Sequence, residues 1–495
     1  MSNRLVRNAL ANVLQMLVGA VLLLALYRYI NTTLGVEQLG VWSVVLATVS
    51  ASRLADLGLS AGVTRFVARD RARGEPARAS QVIDTATLTL IASVGAMLPL
   101  LYPLLAKLLA HLFDTSHLTQ AWEILPYALV SLWLTIVAAV FQGGLDGCQR
   151  MDLRAGLVVA GQALLLALAL WFVPQRGLMG LAWAQIGQGL FLAVAGRLLL
   201  CRALPELPRL PRHWDKRVLW EMLGYGANVQ AATVFMLLFD PLTKALMARF
   251  GGPAATGYFE MASQVVLKAR GVIVAANQAV VPHVAVMAET EPAGLARLYR
   301  ENMRVMILVA LPAFALLIAW GGGVSWLIAR AYQPEFVFLL GLLAVAYGFN
   351  ILAGPAFFTN MGTGKVGWNT LVLVIMGALN AGLGWPLGGL YGEHGVAFAY
   401  AIALVTGSGV LVAVFRHSHG LGWYFESDRE HLGLVVACAA VVALGWIEPL
   451  RPATDEPAAI AVGLFVPPLV LGLAVWFHPM RRQLLTWLMS PEART

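Results

Sequence analysis

Apolar runs of about twenty residues recur from residue 8 to residue 478, separated by short polar turns. Wound as an α-helix at 1.5 Å per residue, each run is long enough to cross a hydrocarbon layer about 30 Å thick. Backbone N–H and C=O groups in lipid must be satisfied within the spanning segment, and a helix does this. The pattern therefore makes the bilayer the solvent. Of 495 residues 59% are apolar and 12% charged, with a mean hydropathy of +0.74, about half the charged fraction of a globular protein. The expected fold is all-α and polytopic, with about fourteen transmembrane helices.

Six spans are expected near 8–30, 40–63, 82–106, 122–148, 155–173 and 178–200, forming an N-terminal bundle over 1–205. The segment CRALPELPRLPRHWDKR, residues 201–217, with three prolines and several cations, reads as a cytoplasmic loop whose part over 206–217 is the linker between bundles. Six more spans, near 218–249, 256–286, 305–330, 336–360, 368–388 and 394–415, form a second bundle over 218–420. Two further spans, near 431–447 and 458–478, and a tail make up 421–495.

Twenty-four of the 34 Lys and Arg fall on one set of alternate loops, five on the other and five within spans. Cytoplasmic loops retain positive charge, so both termini are expected in the cytoplasm. The N-terminal MSNRLVRN leads into a long apolar helix without a small-residue cleavage site and reads as an uncleaved first span.

The same count excludes several classes. The net charge of +8 sits in short loops, not on a basic face of a soluble domain, so nucleic acid is not an expected partner. Cys148, Cys201 and Cys438 are too few and too scattered for a metal cluster, and a disulfide is not expected. No loop on the outer side exceeds about fifteen residues, which leaves no room for an external catalytic domain. His417, His419 and His431 read as solvated loop residues. No catalytic residue and no metal site are assigned, and the chain is not expected to be an enzyme.

The five cations within spans are Arg28, Arg53, Lys244, Lys268 and Arg270. Each costs about 2.5–3.5 kcal/mol at a helix centre on insertion scales, so it persists where it meets water, a partner or a ligand. Sliding the second half over the first by 216 residues puts Asn12 on Asn228, Arg28 on Lys244 and Gly35 on Gly251; one further residue puts Arg53 on Arg270. Copies separated by six spans share an orientation, which implies two pseudo-symmetric bundles around a common cleft.

Gln230, Thr233, Asp240 and Lys244 fall on one polar stripe of the seventh span, and Ser263, Arg270 and Asn277 recur every seven residues in the eighth. Asp240 and Lys244 are i,i+4 partners, which fits both a self-neutralising pair and a coupling group beside a ligand. Pro241 is expected to kink this span. Arg28 lies between Tyr27 and Tyr29, where an interfacial anchor and a ligand contact are both open. Arg53 has Asp56 three residues on. Planar guanidinium forks match phosphate oxygens, so a diphosphate is the natural guest of the set Arg53, Arg270, Arg28, Lys244, Asn277 and Gln230. Asp240 is the first candidate for coupling and Glu260 the second.

The stretch TTLGVEQLGVWSVVLATVSASRLADLGLSAGVTRFVAR, residues 32–69, is similar to the opening signature of the polysaccharide-transporter family of oligosaccharide-lipid flippases, within the multidrug/oligosaccharidyl-lipid/polysaccharide exporter superfamily. FGGPAATGYFEMASQVV, residues 250–266, resembles the corresponding turn of the second half. The resemblance implies alternating-access translocation of an undecaprenyl-diphosphate-linked oligosaccharide, such as an O-antigen or exopolysaccharide repeat unit, across the bacterial inner membrane to the periplasmic leaflet. It implies no cofactor; proton and sodium ion both stay open as coupling ions. Membrane lipids, a polysaccharide polymerase and assembly proteins are the implied partners. The related lipid II flippases keep arginines in the second and eighth spans, which Arg53 and Arg270 match by span and repeat position, while Arg28 matches an arginine of the first. A drug/cation antiporter of the same fold would instead need functional acids in that place, and a membrane glycan polymerase would need an acid, base or nucleophile on a sizeable loop.

Overall fold

The structure, a computed structural model, describes residues 3–50, 52, 56, 58–278, 280–291, 294–422, 428–446 and 457–481. Side chains are described for these except at 3–13, 61, 225–238, 276, 282–283, 286, 289, 428–430, 446 and 457–462. Among the described residues there is no strand, and the regular elements are helices. In order they are α1 Asn3–Leu34, α2 Val36–Ser50, α3 Leu59–Ala72, α4 Pro76–Leu112, α5 Thr115–Gly147, α6 Met151–Ala203, α7 Lys216–Gln278, α8 Val281–Thr290, α9 Leu295–Ala319, α10 Gly321–Ala329, α11 Pro334–Leu352, α12 Gly354–Gly362, α13 Gly367–Ser418, α14 Asp428–Trp446 and α15 Pro457–Phe477.

Seven helical runs among the described residues are long and apolar enough to cross a membrane, including the whole of α4, α5, α6 and α13. Three helices are too long for one crossing: α6 has 53 residues, α7 63 and α13 52, or about 80 Å and more if straight. Each contains one glycine outside the helical region, Gly177 (φ 55°), Gly252 (φ 76°) and Gly392 (φ 62°), a backbone state that costs glycine little. The arms of α6 return on each other, since Gly161 backs onto Leu192 and Gly196 onto Leu157; in α13 Gly407 backs onto Met376. Pro241 keeps helical dihedrals, and the residue of α7 that leaves the helical region is Gly252, just before Pro253, between the expected seventh and eighth spans. A proline removes one ladder hydrogen bond and can still keep helical φ, whereas Gly252 leaves the region altogether.

Residues with positive φ make the internal repeat visible in the backbone. Gly35 and Gly252, Gln149 and Gly364, and Gly177 and Gly392 share this conformation, at offsets of 217, 215 and 215 residues. Gly35 therefore corresponds to Gly252 and not to Gly251, so the inserted residue lies before the turn.

Two compact units form, Met1–Gly257 and Tyr258–Thr495. Their boundary falls one span beyond the 206–217 segment, because the first arm of α7 packs within the first unit. There Gly257 lies against the Val36 backbone, and Met222 approaches Gly62 beside Phe66. The 206–217 segment itself is docked along α4. Asp84, fully buried, accepts from Arg197 Nη2 at 2.7 Å and from the backbone N–H of Arg212 at 3.1 Å. Thr85 Oγ1 accepts from the N–H of Asp215, and Trp214 Nε1 donates to Thr89.

In the second unit, Leu308 and Ala315 of α9 form a core with Leu434, Cys438 and Val441 of α14 and Leu471 of α15. His431, expected as a solvated loop residue, is instead buried: its Nδ1 lies 3.0 Å from His478 Nε2 and the two rings stack. Packing of α14 against α15 in this core brings the start of the first beside the end of the second, where the two imidazoles meet. His417 is exposed, and His419 Nδ1 bonds the Phe415 carbonyl. The three cysteines are free.

Candidate functional site

The candidate residues divide between the two units. Arg53 lies outside the described residues, as does the side chain of Gln230. In the first unit Arg28 is half-buried on α1. Asp56 Oδ1 accepts from the Ser60 N–H at 3.1 Å and hydroxyl at 2.9 Å, at the start of α3. Lys244 Nζ sits 2.9 Å from Asp240 Oδ2, with the lysine side chain 11% exposed and the carboxylate 41%. The cation is thus the buried member of the pair. Helix geometry alone places the two groups one turn apart on one face.

In the second unit Glu260 is buried and accepts from Gln264 Nε2 at 3.1 Å. It lies ten residues from Arg270 on one helix, about 15 Å along the axis. Asn277 is buried, accepts from Asn302 Nδ2 of α9 at 2.8 Å, and lies where a Cβ at Gly354 of α12 would meet its amide nitrogen. Ser263 is buried and donates to the Glu260 carbonyl. The stripe of Ser263, Arg270 and Asn277 therefore turns toward packed protein, with Arg270 half-buried between two buried members.

Arg270 has the most developed surroundings. Its Nε donates to Asn350 Oδ1 of α11 at 3.1 Å, and its guanidinium lies 5.7 Å from the centroid of the Tyr347 ring, one turn earlier on α11. Nη1 and Nη2, which carry the other N–H donors, make no hydrogen bond to the described residues. Asn350 Nδ2 donates to Ser408 Oγ of α13 at 2.9 Å, and Ser408 donates onward to the Leu404 carbonyl at 2.7 Å. The Tyr347 and Tyr400 hydroxyls are 2.5 Å apart, and Tyr400 meets Phe259 edge to face. A cation fixed on one edge and covered on one face, with two forward nitrogens unbonded among the described residues, suits a bidentate oxyanion.

Nothing in the local sequence pattern marks Asn350, Tyr347 or Ser408, and Asn350 is 80 positions from Arg270. Two ionic groups were equally hidden. Glu221, near the start of α7, takes Arg69 of α3 on Oε1 at 2.5 Å and Arg78 of α4 on Oε2 at 3.0 Å. Arg69 also pairs with the fully buried Asp70 at 2.7 Å. Asp70 first and Glu221 next hold the Arg69 guanidinium above its ordinary pKa. Glu335, Glu393 and His394 gather metal-ligand atom types within 4.8 Å, with His394 Nε2 3.2 Å from Glu335. That contact is an ion pair whenever the imidazole is protonated.

The sequence profile of the family described as Polysaccharide biosynthesis protein matches residues 5–288, more than half of the chain. No curated protein matches the sequence. Among solved structures, the chain is similar to the lipid II flippase MurJ in an inward closed conformation, at 12% identity and a TM-score of 0.72, covering 97% of this chain and 99% of that one. It is similar to an inward-facing multidrug resistance MATE family transporter of the MOP superfamily at 14% identity and a TM-score of 0.71, covering 83% and 98%. A MOP superfamily transporter from Pyrococcus furiosus gives 14% identity and a TM-score of 0.58, covering 84% and 95%. At these identities the likeness is one of fold.

Proposed function

The chain belongs to the polysaccharide biosynthesis protein family, and on that premise we propose that it flips an undecaprenyl-diphosphate-linked oligosaccharide to the periplasmic leaflet of the bacterial inner membrane. The observation that carries this reading is Arg270, whose Nη groups are left open by a scaffold that holds the rest of the guanidinium. A charge on a membrane helix tends to serve an ion or substrate path, and this one is arranged for two oxygens of one phosphate or diphosphate. Arg53 is its counterpart in the internal repeat, and Arg28, Lys244, Asn277 and Gln230 complete the proposed guest-binding set. The movement is alternating access of the two repeats, with both chain ends in the cytoplasm. Asp240 is the first candidate to couple it to a proton or sodium ion, and Glu260 the second. Polymerase and assembly proteins of the same glycan are the proposed partners.

Proteoliposomes loaded with defined lipid-linked glycans test the reading. The wild-type chain flips them, Arg53→Ala and Arg270→Ala stop this without lowering the amount of protein in the membrane, and Lys at either position restores part. Lys keeps the charge and loses the fork. Gradient-driven export of organic cations with no flipping of lipid-linked glycan would overturn the proposal in favour of a drug/cation antiporter.

A further inference from the structure

We propose that Asn350 is the positioning residue of the diphosphate site, setting the direction of Arg270, and that Ser408 sets the polarity of the Asn350 amide; this rests on the reading of Arg270 as the diphosphate contact. Ser408 donates its one hydroxyl proton to the Leu404 carbonyl at 2.7 Å. Toward Asn350 it can then only accept, so the group facing it at 2.9 Å must be the amide NH₂. The amide oxygen is thereby turned to Arg270, where it accepts from Nε at 3.1 Å. Reversing the amide would set two donors against each other at Arg270 and leave Ser408 facing an oxygen with no proton to offer.

The ring of Tyr347 fixes the second coordinate. Its hydroxyl is held by Tyr400 and its face lies under the guanidinium, a cation–π contact that strengthens as water is excluded. Together the Nε–H bond and the ring leave the guanidinium little freedom to rotate. Both outward nitrogens then face the same way, as a bidentate contact requires. α11 and α13 thus carry residues that never need to touch the guest and still decide whether Arg270 meets it as a fork or as a point charge.

The test is binding of undecaprenyl diphosphate, with undecaprenol as the uncharged comparison, to the full chain in nanodiscs. Asn350→Ala is expected to weaken undecaprenyl diphosphate binding about tenfold, the effect of one hydrogen bond to a charged group, with undecaprenol binding unchanged. Ser408→Ala should act in the same direction by a smaller factor, since the amide can then turn over. In an Arg270→Lys background, where no Nε–H exists, Asn350→Ala should have no further effect. An equal loss in both backgrounds would show that Asn350 serves packing alone and would overturn the inference, as would unchanged diphosphate binding in Asn350→Ala and Ser408→Ala. Wild-type protein that fails to prefer the diphosphate over undecaprenol would instead overturn the flippase reading, and the inference with it.

Discussion

Glu221 and Arg69 meet at 2.5 Å across 152 positions of sequence, and the other oxygen of the same carboxylate holds Arg78 at 3.0 Å. One acid at the start of α7 thus ties down the end of α3 and the start of α4. Arg69 is in turn anchored by Asp70, which is fully buried.

Glu221→Ala should release both arginines at once. The groups are between 27% and 42% exposed, so solvent screens them and each pair is worth about 0.2–1 kcal/mol. A double-mutant cycle between Glu221→Ala and Arg69→Ala should give a coupling in that range, shrinking at about 1 M salt, where the Debye length is near 3 Å. A coupling that persists undiminished in high salt would show that the pair is shielded from water in a way its exposure does not suggest.

The pair Asp84 and Arg197 should behave differently, because both are buried. Asp84→Leu leaves a buried guanidinium without its carboxylate, a change that costs about 3–5 kcal/mol in buried pairs. It also frees the 206–217 segment from its anchor on α4. Asp84→Leu combined with Arg197→Met should recover much of the loss, since no lone charge remains. Thermal unfolding in detergent reads this directly, and a double variant no more stable than Asp84→Leu would show that the anchored segment, not the ion pair, carries the stability.

Gly40 offers a steric test. A Cβ at this position would lie 1.7 Å from the Pro253 carbonyl oxygen and 2.5 Å from its carbon, and backbone on both sides cannot rotate away. Gly40→Ala should destabilise by about 1–3 kcal/mol, the range for overpacked sites. Gly382→Ala is the matched control, because nothing lies within 4 Å of its Cβ position and alanine is the better helix former by about 1 kcal/mol. Equal melting temperatures for the two variants would mean that α2 and α7 separate at this point without cost.

The helices and the repeat were legible in the sequence because they depend on quantities that a span carries by itself: apolar length, alternation of loop charge, and residues that recur between the halves, such as Arg28 and Lys244 or the turn glycine Gly35. The in-span cations were legible for the same reason, as each is a local exception to the pattern. What surrounds them was not. Asn350 and Ser408 reach Arg270 from other helices, Arg197 reaches Asp84 across 113 positions, and His431 finds His478 across 47. Such partners are chosen by helix packing, which hydropathy does not encode. Asp240 and Lys244 are the instructive exception, since an i,i+4 spacing on one helix brings partners together whatever the neighbouring helices do.

Lys244 is the more buried of the two, and Asp240 is 41% exposed at 2.9 Å from it. The arrangement allows an exchange of partners: a diphosphate oxygen drawn toward Lys244 would leave the Asp240 carboxylate to take up a proton, which links the proton to the guest. A static pair, needed only to insert the helix, would show no such link. Asp240→Asn separates the two, because it preserves shape and removes the ionisable group. If the exchange operates, the variant folds, still binds undecaprenyl diphosphate, and transports at a rate that no longer depends on an imposed pH gradient. A pH dependence equal to that of the wild type would remove Asp240 from coupling and leave Glu260, or movement of the anion in the membrane potential at about 2.3 kcal/mol per charge per 100 mV, as the source of drive.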